Sequence, residues 1–111
     1  MSTAFWVCAA ITAISGFVSL GYSIAALRAA TPSKRTSSMY AAARSLALAL
    51  AAVVAIFAGS PDFLAAIALT MTVVQAADAA IGALIHDRLK TIGPAATAAV
   101  NAVALVWLLS Q

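Results

Sequence analysis

Long apolar runs, four in number and separated by short polar or helix-breaking segments, make up nearly all of this sequence and restrict it to a fold that can live in a bilayer. Inside hydrocarbon a backbone has no water to bond, so each run must satisfy its own N–H and C=O groups as a helix. Helices are expected at about 4–27, 39–58, 61–85 and 94–109. They use up the 111 residues almost completely, which leaves no room for a soluble catalytic or nucleic-acid-binding domain. The reading is an all-α polytopic membrane protein with a single transmembrane domain over residues 1–111. Its short connections make consecutive helices antiparallel neighbours in an up-down bundle.

The punctuation sets these limits. The first run ends in the stretch from Arg28 to Ser38, where Thr31, Pro32, Ser33, Lys34 and Arg35 are polar or break helices, and Ser38 is placed to cap a helix beginning at Met39. Gly59 is a helix stop, while Ser60, Pro61 and Asp62 supply a cap, a first-turn proline and an acid at the positive end of the next helix dipole. His86 to Lys90 form the third connection, and Gly93 with Pro94 are expected to open the fourth helix. The first run is read as a retained helix rather than a signal peptide: no Lys or Arg precedes Phe5, and the run is longer than a signal core.

Charge is sparse, at 8% of residues with a formal net charge of +3. Arg28, Lys34, Arg35, Arg88 and Lys90 fall where apolar runs stop, and only Arg44 lies inside one. No solvated basic face accompanies them, so nucleic acid is excluded as a partner and the charges read as topology signals. Loops one and three are expected in the cytoplasm, with both termini and the second loop outside the cell inner membrane. Trp6 and Trp107 then fall together at the outer interface, where indoles prefer to sit. Cys8 alone supports neither a disulfide nor a thiolate zinc site, and His86 reads as a helix-end cation. No metal site or cofactor is expected.

Ionisable and amide side chains inside the runs carry the functional signal, since each is costly in lipid unless partnered. Asp78 lies ~10 Å from the cytoplasmic boundary and Arg44 ~8 Å from it, on helices expected to be adjacent. A bidentate Arg44/Asp78 ion pair follows from the fit of guanidinium to carboxylate. Met71, Gln75, Asp78 and Gly82 share one face of the third helix, and Thr12, Ser15, Ser19 and Tyr22 share one face of the first. Asn101 falls ~10 Å past Pro94. Tyr22, Ser19, Arg44, Gln75, Asp78 and Asn101 are therefore expected around one polar pocket at the cytoplasmic end. Ala47, Ala51, Ala55 and Ala58 continue the Arg44 side of the second helix as a packing seam, because small residues let helices approach closely in lipid.

Such a site suits a hydrophobic small molecule or lipid as ligand, with membrane lipids as partners. A second possibility is a membrane-embedded acid/base enzyme, an isomerase, cyclase or epoxide-opening catalyst, in which Asp78 exchanges a proton, Arg44 holds charge and Tyr22 or Asn101 orients the substrate. A small transporter, or a structural subunit of a complex or homo-oligomer, is a third. In size and helix count the chain resembles the small multidrug resistance exporters, but their proton-coupling glutamate has no counterpart in a chain without glutamate. Arg44, Asp78 with Gly82, and Gly93–Pro94 resemble the pattern of uncharacterised families of small four-helix bacterial membrane proteins. There an arginine opens the second helix and Asp-x-x-x-Gly follows in the third. The resemblance covers roughly Met39 to Leu109 and implies the four-helix fold without an established activity.

Overall fold

The computed structural model describes residues 2–111. Among them the chain forms α1 (Thr3–Ala29), α2 (Arg35–Ala58), α3 (Pro61–Leu84) and α4 (Arg88–Leu109), each long and apolar enough to cross a membrane. The protein is an all-α four-helix bundle of the multi-pass membrane type.

Local chemistry explains most boundaries. The Ser2 hydroxyl accepts the Phe5 N–H at 3.1 Å to start α1. Gly59 ends α2 in the left-handed region with φ 65°, and Ser60 caps α3 by accepting the Phe63 N–H at 3.2 Å, with Pro61 in the first turn.

Two starts differ from expectation. The second helix begins at Arg35, not Met39, and Ser38 lies inside it with its N–H bonded to the Lys34 carbonyl at 3.1 Å. Hydropathy marks where hydrocarbon begins, whereas backbone pairing continues outward through Arg35–Ser38 into the polar layer. The fourth helix begins at Arg88, not Pro94, because Asp87 caps it by accepting the Lys90 N–H at 3.1 Å. Pro94 lies in the helix interior and has no N–H to give the Lys90 carbonyl.

The turn before α4 is tightly specified. The Asp87 N–H bonds to the Gly82 carbonyl at 3.0 Å and the His86 N–H to the Ala83 carbonyl at 3.1 Å, the paired closure of a Schellman cap. His86 takes the left-handed position at φ 58°, where glycine is usual. Gly82 is needed one turn earlier: a Cβ there would run into the Lys90 carbonyl and the Thr91 nitrogen.

The helices assemble as a slab of 46 × 25 × 15 Å. α1 packs on α2, α3 and α4, and α3 packs on α2 and α4, so that α2 and α4 occupy opposite corners. Apart from Phe5, Leu64, Met71, Leu105 and Leu108, the apolar interior is built of small residues. Large side chains such as Phe57, Leu50, Val54, Leu84 and Val103 face outward, while Ala49, Ala52, Ala55, Ala68, Ser45 and Thr12 are interior. That distribution suits lipid, where close packing of small residues replaces the hydrophobic drive between helices. The buried stripe of α2 is Ser45, Ala49, Ala52 and Ala55. It shares only Ala55 with the expected seam, since Ala47 and Ala58 are exposed and Ala51 is half-buried. Alanine is so frequent on every side of α2 that the seam is marked by Ser45 and not by any alanine.

Candidate functional site

Arg28, Lys34, Arg35, Arg88 and Lys90 lie in, or within a turn of, the connections that join α1 to α2 and α3 to α4, and so at one end of the bundle, the basic end. The helix termini carrying Trp6 and Trp107 lie at the other, the terminal end.

Arg44 and Asp78 meet between α2 and α3 on the basic half. One guanidinium nitrogen, Nη2, donates to both carboxylate oxygens, to Oδ1 at 3.2 Å and Oδ2 at 3.3 Å. The contact is therefore not the expected two-nitrogen fork: Nη2 alone spans the carboxylate, and among the described residues no other hydrogen bond engages the guanidinium. The pair is also open. The Arg44 side chain is 46% exposed and that of Asp78 23%, on the outer edge of the α2–α3 contact. Because α2 begins early, Arg44 is nine residues along it, ~13 Å from the helix start. Asp78 is six residues before the end of α3, ~9 Å from it. Two charges at that depth and this open to hydrocarbon are expensive unless each holds the other.

The remaining expected residues separate into four places. Ser19 joins a hydroxyl cluster between α1 and α2, lying 3.1 Å from the Ser45 oxygen, with Ser23 at 2.8 Å from the same atom. Gln75 is buried on α3, its amide nitrogen 4.0 Å from the Met71 sulfur of the same helix. Asn101 is fully buried and donates through Nδ2 to the Thr12 hydroxyl at 3.3 Å, and Thr12 in turn lies 4.0 Å from the Cys8 sulfur. Tyr22 is 64% exposed and turned out of the bundle.

One pocket holding all six is thus not what the fold forms. Asn101 moves away because α4 starts six residues earlier than expected, which puts it ~20 Å from the basic end and level with Thr12. Tyr22 moves out because the polar stripe of α1 runs through Cys8, Thr12, Ser15, Ser19 and Ser23, one position beyond Tyr22 at its lower end. Ser23 and Ser45 are the residues the sequence reading passed over. Their signal was present as the four-residue spacing of Ser15, Ser19 and Ser23 and as a serine beside the buried-depth arginine.

What the arrangement offers chemically is a carboxylate and a guanidinium held together and partly exposed between α2 and α3, with guanidinium donors that Asp78 does not take up. No protein-family model matches the chain, and no curated protein or solved structure is significantly similar to it. The likeness to small four-helix bacterial membrane proteins therefore rests on its short motifs, of which Gly93–Pro94 lies inside α4 and does not open it.

Proposed function

We propose that this multi-pass membrane protein binds a hydrophobic small molecule or lipid with an anionic head at Arg44, entering sideways from the bilayer between α2 and α3. The observation that carries the reading is the open ion pair: Arg44 is 46% exposed at membrane depth and spends one of its nitrogens on Asp78. A carboxylate or phosphate head would take the free donors in a charge-assisted contact, and the apolar tail would stay in lipid. Asp78 keeps Arg44 from reaching outward to the headgroups, which fixes the head-binding depth. An acid/base enzyme at the same place would have Arg44 and Asp78 without Tyr22 or Asn101, so binding is the better supported activity. The basic end is assigned to the cytoplasm on the distribution of Lys and Arg.

Titration calorimetry with oleic acid, on protein held in phosphatidylcholine nanodiscs, tests the proposal. Saturable binding by the natural protein and its loss in Arg44→Gln is the expected result. Absence of saturable binding, or equal binding by Arg44→Gln, would overturn it.

A further inference from the structure

A second feature lies on the opposite side of the molecule, between α1 and α4. Two hollows of about 420 Å³ and about 230 Å³ open there onto the lipid-facing surface. They meet at Ile11 and Val100, which line both, and so form one groove along the helix pair. Its floor is made shallow-sided by small residues, among them Ala99, Ala104 and Ser15, while Trp107 stands at the terminal end. From Ala96 to Trp107 α4 rises ~16 Å, close to half of a ~30 Å hydrocarbon core. The groove therefore has the length and the depth of a single leaflet, begins at an interfacial tryptophan and carries no ionisable side chain.

We infer that this groove holds one acyl chain of a membrane phospholipid as a specifically bound lipid. An acyl chain on a flat helix face meets protein on one side, whereas in this trough α1 and α4 flank it and the dispersion contacts run along both walls. A linear chain from the adjacent leaflet fits that trough, and Trp107 meets the ester region where the chain joins its headgroup. The site is separate from Arg44 and does not depend on what binds there.

The test is native mass spectrometry of protein reconstituted in dioleoyl phosphatidylglycerol and dioleoyl phosphatidylethanolamine and then extracted in mild detergent. In an Arg44→Gln background, where the site proposed at Arg44 retains nothing, one phospholipid per chain is expected, with or without Val54→Phe, a change at an exposed position on α2 away from the groove. Ala99→Phe, which fills the groove at an exposed position, is expected to cut retention about tenfold, equivalent to 1.4 kcal/mol. A second readout uses Trp6→Phe, in which Trp107 is the sole tryptophan. Phosphatidylcholine brominated on its acyl chain should go on quenching Trp107 after extraction into detergent. No lipid on Arg44→Gln, equal retention when Ala99→Phe is added to it, a lipid-free dimer, or quenching that vanishes on extraction would each overturn the inference.

Discussion

The two ends of the bundle are held by different physics. At the terminal end Phe5, Leu64, Leu105 and Leu108 interlock with Cys8, Ala9, Ala55, Ala68 and Ala104 in one apolar cluster. Shape complementarity and dispersion do the holding there, and several large side chains are fully buried. At the basic end the interior is small and polar: Ser19 and Ser23 converge on Ser45, Gly82 admits the start of α4, and Arg44 reaches across to Asp78. The contrast teaches where a polar site can reside. The interior of the terminal half is committed to packing, whereas the basic half is joined by directional contacts of modest strength, one of them exposed.

Substitutions can break or sharpen this contrast. Leu64→Ala removes a fully buried side chain from the apolar cluster and should cost about 2–5 kcal/mol, read by reversible unfolding in mixed micelles. Gly82→Ala is expected to cost about 1–3 kcal/mol at the other end, because the added methyl meets Lys90 and Thr91 backbone rather than a side chain that can turn away. A stability equal to the natural protein's would show that α4 does not approach α3 so closely. Ser45→Ala deletes the shared partner of Ser19 and Ser23 and should cost about 0.6–2 kcal/mol in the same assay. His86→Gly reverses the sign. It relieves a left-handed residue and should stabilise by roughly 1 kcal/mol, visible as a raised Tm with unchanged helicity.

Legibility in the sequence followed the same division. Helix number and the α2–α3 turn were readable because Gly59, Ser60 and Pro61 each have one dominant conformational meaning. Arg44 and Asp78 could be matched by depth because the basic end of α3 was bounded to within a residue and the four-residue error at the start of α2 amounts to about one turn, which an arginine side chain can span. The depth of Asn101 was misplaced, since Pro94 signals a first turn more often than an interior position and the Asp87 cap lay hidden among charged loop residues. The α2 seam was illegible for another reason: with alanine on all sides of the helix, periodicity carries no direction. Tyr22 shows the limit of a stripe read from single positions, because one residue's shift, to Ser23, turns a side chain by about 100° around the helix.

The central claim is that Arg44 and Asp78 hold each other at membrane depth and leave the basic half with an open polar site. A double-mutant cycle with Arg44→Ala, Asp78→Ala and the combined variant, measured as unfolding free energy in bicelles, tests it most directly. Each single variant strands a charge that the double variant does not, so the effects should be non-additive, with a coupling of about 1–3 kcal/mol. Additivity to within about 0.5 kcal/mol would contradict the claim and show that the two groups do not act as a pair.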